Sequence, residues 1–187
     1  MRIERGTRVS RALQIGREAL GAWRRRLWLR LPPVRRRLTR RAQHAWGEGT
    51  IAFVCFGNIC RSPFAERLAS QRLGSARRVA SAGHFPEEGR RSPEPAVAAA
   101  ERFGVDLRPH RSRVLSDELV EEATAIFVFD QQNYHAVLRE HPRAKGSVHF
   151  IGALSEKGPL FVPDPFGGPA EAYRLAYRRI SDLIVSS

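Results

Sequence analysis

The ten residues Val54-Cys55-Phe56-Gly57-Asn58-Ile59-Cys60-Arg61-Ser62-Pro63 constrain this chain more than any other stretch. They follow the apolar run Ile51-Ala52-Phe53-Val54, which reads as a buried strand, and lead into an amphipathic helix over 63–73. Gly57 and Asn58 supply the turn, and Ser62-Pro63 is a helix-entry pair. A strand, a tight turn and a helix N-terminus joined in this way aim backbone N–H groups at one point. The helix end adds partial positive charge there. Residues Phe56, Gly57, Asn58, Ile59, Cys60, Arg61 and Ser62 would then wrap a tetrahedral oxyanion, with the sulfur of Cys55 at its base.

Each residue type suits attack on phosphorus. The thiolate of Cys55 is the candidate nucleophile, because a helix N-terminus and a nearby arginine lower a cysteine pKa. Arg61 has the planar fork that grips two phosphate oxygens. Ser62 can donate to the Cys55 sulfur both as it attacks and as it leaves. A thiolate that displaces an alkoxide needs a proton donor for the departing oxygen. Asp164, in Val162-Pro163-Asp164-Pro165-Phe166, is the candidate: two prolines stiffen its loop, and Phe166 offers a ring to a substrate ring.

Beyond residue 50 strands and helices alternate. Strands are expected at 51–54, 78–80, 125–129 and 148–151, and helices at 63–73, 93–103, 116–122, 131–140 and 169–185. This order predicts an α/β fold of three layers, a parallel sheet with helices on both faces. Ligands bind such sheets at the carboxyl ends of strands, where Cys55 falls. Ahead of it, Val9, Leu13, Leu20, Trp23, Leu27 and Leu31 recur at helical spacing over 8–31. Pro32-Pro33 closes that helix, and Val34, Leu38, Ala42 and Trp46 predict a second, short one. Gly47-Glu48-Gly49 reads as a linker, so residues 1–48 form a basic helical extension and 49–187 the catalytic domain.

Charge separates the same two parts. Fourteen Arg against three Glu give residues 1–48 a net charge of +11, and eighteen basic against sixteen acidic residues leave the remainder at +2. The basic character therefore belongs to the extension, and nucleic acid is not expected at the domain that holds the motif. An anionic membrane surface, nucleic acid, an acidic partner or packing against the catalytic domain are all open to residues 1–48, nucleic acid being the least expected for the protein as a whole. The two cysteines, Cys55 and Cys60, both sit in the motif, which points to a reducing cytoplasm rather than a secreted disulfide framework. No apolar stretch is long enough to cross a bilayer. A cytoplasmic protein is expected, with peripheral placement at the inner face of a membrane as one of the readings open to the extension.

The Cys-x5-Arg-Ser-Pro string, Ser81-Ala82-Gly83 and Asp164-Pro165-Phe166 together resemble the low-molecular-weight protein-tyrosine phosphatases over residues 50–187. The resemblance implies a four-stranded parallel sheet and a phosphoric monoester hydrolase acting on phosphotyrosine proteins, with neither metal nor other cofactor. In it Cys55 becomes phosphocysteine, Arg61 holds the phosphate, and Asp164 protonates the leaving phenol and then activates water. It further implies that Asn58 is left-handed and braced by Ser81 and His110, and that Cys60 can form a reversible disulfide with Cys55. Asp130, beside Asn133, is expected to support the end of its strand. Phe85, with His84 and Phe56, and Phe166 would wall an aromatic slot, thinned on one side because Gly167 stands where some relatives carry a second aromatic ring. A bacterial tyrosine kinase is a candidate substrate by the same analogy. Arsenate reduction with an external thiol, and a non-catalytic phosphotyrosine-binding module, stand as alternatives.

Overall fold

The structure, a computed structural model, describes residue 29 and residues 31–186. The helix expected over 8–31, and with it most of the arginine-rich extension, lies outside the described residues. Helix α1 (Pro32–Trp46) starts at the proline pair rather than after it. A proline in a first turn gives up an N–H that has no helical partner anyway, so the pair that ends one pattern also begins the next.

By its contacts the chain falls into two units, one ending at Arg37 and the other beginning at Leu38. The physical reason lies in the second half of α1. Ala42, Ala45 and Trp46 are buried, and the Trp46 ring meets Phe53 at 6.3 Å and Phe127 at 5.7 Å. Gln43 Nε2 donates to the Leu154 carbonyl at 3.1 Å, which ties the helix to the far edge of the sheet.

The sheet contains β1 (Thr50–Cys55), β2 (Val79–Gly83), β3 (Ala123–Val128) and β4 (Val148–Phe150), all parallel, in the order β2-β1-β3-β4. In the two central strands Ile51–Val54 and Ala125–Val128 are fully enclosed. Strands covered on both faces read as unbroken apolar runs, which is how these two appear in the sequence. Strand β2 runs on to Gly83 rather than ending at residue 80, because Ser81, Ala82 and Gly83 continue to pair with Phe53, Val54 and Cys55.

Helix α2 (Arg61–Leu73) carries the chain from β1 to β2; α3 (Glu94–Glu101) and α4 (Asp117–Glu122) separate β2 from β3. Helix α5 (Gln131–Glu140) joins β3 to β4, and α6 (Ala170–Val185) closes the chain. From β1 the chain moves one way to β2, and from β3 the other way to β4. Right-handed crossovers in opposite directions put α2 and α5 on opposite faces. The loops after β1 and β3 therefore part at the carboxyl edge, which opens a crevice there. On one face α6 buries Tyr173, Ala176, Tyr177, Ile180, Leu183 and Ile184, and Tyr177 stacks on Phe64 of α2 with ring centroids 4.1 Å apart.

Trp46→Ala would leave a hole over Phe53 and Phe127. It is expected to destabilise the domain by about 3–5 kcal/mol in urea unfolding, with the unfolding slope unchanged.

Candidate active site

Cys55 ends β1 beside Gly83, the last residue of β2. Only glycine fits there: a Cβ would lie 2.7 Å from the Phe56 carbonyl oxygen and 2.8 Å from Asn58 N. This close approach lets the loop over 56–60 fold across the strand ends. The Phe56 carbonyl then accepts N–H bonds from His84 at 2.8 Å and Phe85 at 2.9 Å.

Asn58 sits in the left-handed region with φ +50° and is completely buried. Its side chain is fully used. Nδ2 donates to Ser62 Oγ and to Ser81 Oγ, each at 2.8 Å, and Oδ1 accepts the Arg113 N–H at 2.8 Å. His110 Nε2–H donates to the Asn58 carbonyl at 2.7 Å. Burial lowers His110 below the usual imidazole value, with Arg113 and Arg67 adding to the effect, so the neutral ring makes this bond. Ser81 passes the network on, donating to Glu66 Oε2 at 2.5 Å, and Glu66 also pairs with Arg113 at 3.3 Å.

Two donors converge on the Cys55 sulfur, itself 3% exposed: the Asn58 N–H at 3.3 Å and the Ser62 hydroxyl at 3.1 Å. Ser62 accepts from Asn58 Nδ2, and its single proton is within reach of the sulfur at 3.1 Å and of the Ala82 carbonyl at 3.4 Å. Cys60 differs. Burial first, and then the charges of Cys55 and Asp164, push its thiol far above the ordinary range. Its carbonyl is held from below by the Tyr177 hydroxyl at 3.1 Å.

Arg61 begins α2 and is 1% exposed. Nη1 donates to Asp130 Oδ2 at 2.6 Å and to the Val162 carbonyl at 3.1 Å, while Nη2 donates to Asp164 Oδ2 at 2.6 Å. Burial alone would weaken the guanidinium charge, but Cys55, Asp164 and Asp130 outweigh it and raise its pKa further. Its Nε has no partner among the described residues. The same bonds position the acidic loop. Val162 N–H donates to the Phe129 carbonyl at 2.8 Å, which lays the segment along the end of β3, and Asp164 Oδ1 accepts the Phe166 N–H at 3.2 Å.

Above the sulfur opens a cleft of about 200 Å³. Cys55, Gly57 and Cys60 form its floor; Phe56, Ile59, Phe85 and Phe166 line its sides; Asp164 and Arg90 complete it. Phe56 and Phe85 meet edge to face at 5.7 Å. Phe56 and Phe166 are 55% and 62% exposed, leaving two rings free to receive an apolar group. Chemically the assembly offers a sulfur in line with an oxyanion pocket, a buried guanidinium and a carboxylate near the mouth.

Of the candidate residues, Cys55, Phe56, Gly57, Ile59, Cys60, Phe85, Asp164 and Phe166 line the cleft, and Asn58, Arg61, Ser62, Ser81, His110 and Asp130 are hydrogen-bonded behind it. His84, expected as a wall, is not in the lining, because its ring turns away to pair with Glu140 at 3.1 Å. Sequence reasoning missed Glu66, Arg90, Arg113 and Tyr177, and it gave Asp130 a supporting role at the strand end rather than an ion pair with Arg61. Asp130 carried a usable signal, since it stands just past the end of the strand next to β1. The other four carry none, because their partners are distant in sequence.

The model of the family described as low molecular weight phosphotyrosine protein phosphatase matches residues 50–186. The chain is 36% identical over 116 residues to the low molecular weight protein-tyrosine-phosphatase Ptp of Acinetobacter johnsonii, covering 62% of this chain and 79% of that one. It is 32% identical over 134 residues to a protein-arginine-phosphatase of Geobacillus stearothermophilus, covering 72% and 90%. The crystal structure of the Erwinia amylovora tyrosine phosphatase AmsI superposes with a TM-score of 0.69 at 28% identity, over 74% of this chain and 89% of that one.

Asn58→Gly keeps the left-handed backbone but deletes three side-chain hydrogen bonds, whereas Asn58→Ala also strains the backbone. Chemical denaturation is expected to show a loss of about 3 kcal/mol for the glycine variant and about 1 kcal/mol more for alanine. A second expectation concerns pH. His110 has a lower pKa folded than unfolded, so below about 6.5 the unfolded chain takes up the proton first. Its share of stability is complete above that pH and drains away as pH falls toward the native value. Melting temperatures from pH 8 to 5 should therefore fall less steeply for His110→Gln than for the wild type.

Proposed function

The chain belongs to the low molecular weight phosphotyrosine protein phosphatase family, and from that premise we propose that it hydrolyses phosphotyrosine in proteins through a phosphocysteine at Cys55. It is a phosphatase, as are the relatives named above; arsenate reduction is not favoured among them. The observation that carries the reading is a sulfur under two hydrogen bonds at the floor of a narrow cleft, with aromatic rings at its sides.

The phosphate of the substrate enters the loop over 56–62 and takes up N–H groups there, together with the Arg61 guanidinium. Arg61 exchanges its bond to Asp164 for phosphate oxygens, while Asp130 and the Val162 carbonyl keep its other edge in place. Asp164, released from the cation and protonated from solvent before the chemical step, delivers that proton to the phenolic oxygen as the sulfur attacks phosphorus and the P–O bond breaks. In the second half Asp164 takes a proton from water, the water oxygen bonds to phosphorus, and the S–P bond breaks. The departing thiolate is received by the Ser62 hydroxyl and the Asn58 N–H.

Several of the similar proteins are named as arginine phosphatases, so the amino acid has to be argued from the cleft. Three phenylalanines and Ile59 offer a phenyl ring apolar contact, and each aromatic pair contributes about 0.5–1.5 kcal/mol beyond area burial. The guanidinium of phosphoarginine would instead be brought beside the cation of Arg90. Phosphoserine is short: its backbone would have to enter between Phe56 and Phe166 for the phosphate to reach the sulfur.

Initial rates on matched peptides carrying phosphotyrosine, phosphoserine or phosphoarginine test this reading. Phosphotyrosine is expected to lead in kcat/KM by about tenfold or more, and Cys55→Ser is expected to abolish turnover. A lead for phosphoarginine, or turnover by the serine variant, would refute it. Asp164→Ala is expected to cut kcat on phosphotyrosine by about 10²–10⁴-fold, and by less on p-nitrophenyl phosphate, whose leaving group needs less protonation.

A further inference from the structure

Arg90 stands at the cleft with its charge unspent. The backbone pins it on both sides, for its N–H donates to Ser112 Oγ at 3.0 Å and its carbonyl accepts the Ser112 N–H at 2.9 Å. The side chain is equally fixed. Its guanidinium carbon lies 4.0 Å from the centroid of Phe85, Nε–H donates to the Glu87 carbonyl at 3.1 Å, and Nη2 donates to the Gly57 carbonyl at 2.6 Å. All of these partners are neutral. No carboxylate among the described residues forms an ion pair with Arg90: Glu88 Oε1 instead accepts the Val114 N–H at 2.8 Å, and Glu66 is held by Ser81 and Arg113. Arg61, by contrast, is met by two carboxylates.

Such a cation does not serve the reacting phosphate, which lies on the Cys55 sulfur and within the fork of Arg61. It flanks the wall residue Phe85, where the residues next to a bound phosphotyrosine would pass. Holding an arginine flat on an aromatic ring removes most of the rotamer freedom that weakens exposed ion pairs. Two N–H groups of Nη1 and one of Nη2 stay available after the carbonyls are served.

We propose that Arg90 is a specificity residue that selects phosphotyrosine sites with an acidic side chain on an adjoining residue. This rests on the phosphotyrosine reading above and names a narrower class of substrate for it. A carboxylate on the neighbouring residue pairs with the guanidinium at the lip of the cleft while the ring lies between Phe56, Phe85 and Phe166. The bond is made on binding and kept through the reaction, so it acts on KM more than on kcat.

The test compares two phosphotyrosine peptides that differ only in a flanking Glu or Gln, on the wild type, Arg90→Gln and Arg90→Lys. The wild type is expected to favour the Glu peptide in kcat/KM by about fivefold at low salt, chiefly through KM, and less so at high salt. In Arg90→Gln that ratio should fall to one or below, while Arg90→Lys should retain part of it. Any loss caused by releasing the Gly57 carbonyl affects both peptides alike and cancels in the ratio. A wild-type ratio of one, or an unchanged ratio in Arg90→Gln, overturns the proposal while leaving the phosphotyrosine reading intact. Failure of the wild type to turn over either peptide refutes both.

Discussion

The left-handed turn at Asn58 is the constraint on which the site depends. A residue with a side chain at φ +50° is strained unless its surroundings hold it, and here they hold it from several directions. Ser62 comes from α2, Ser81 from β2, and His110 and Arg113 from the segment before α4. One amide therefore binds together pieces that the chain order scatters over more than fifty residues. The geometry of the oxyanion pocket is set before any ligand arrives, which is where electrostatic catalysis gains most over water. The absent side chain at Gly83 is the matching condition, since nothing larger would let the loop rest on the strand end.

Charge is arranged by the same economy of position. Burying a guanidinium is costly unless it is paired, and Arg61 answers with Asp130 on one edge and Asp164 on the other. The two carboxylates are not equivalent. Asp130 also accepts the Asn133 N–H and caps α5, so it is a fixture of the fold. Asp164 is much more exposed and sits on a loop, with its side chain 42% accessible against 22% for Asp130. On the reading proposed above, the permanent partner orients the guanidinium and the more exposed one gives way to a phosphate.

Local features of the chain were legible, and pairings across it were not. The apolar runs of β1 and β3, the five-residue gap from Cys55 to Arg61, and the helical stripe of α6 are all written over a few consecutive residues. The extension of β2 to Gly83 was hidden because Ser81-Ala82-Gly83 looks like a turn until Phe53, Val54 and Cys55 are seen to pair with it. Trp46 looked like part of an appendage, since only the folded sheet reveals Phe53 and Phe127 beneath it. Arg90 lay in a polar stretch, and its meaning depends on Gly57, thirty-three residues earlier.

The hydrogen bond from Tyr177 to the Cys60 carbonyl has a temporal side. It spans 117 residues, and the Arg61–Asp164 pair spans 103. A ribosome releases the thiol, the oxyanion loop and three of the four strands well before it releases either brace. Through most of synthesis, then, the emerging polypeptide carries its sulfur without its acid or the hydroxyl beneath its loop. On the reading proposed above, the assembled site is the last thing that synthesis completes, and a chain cut short before Tyr177 lacks one of its braces.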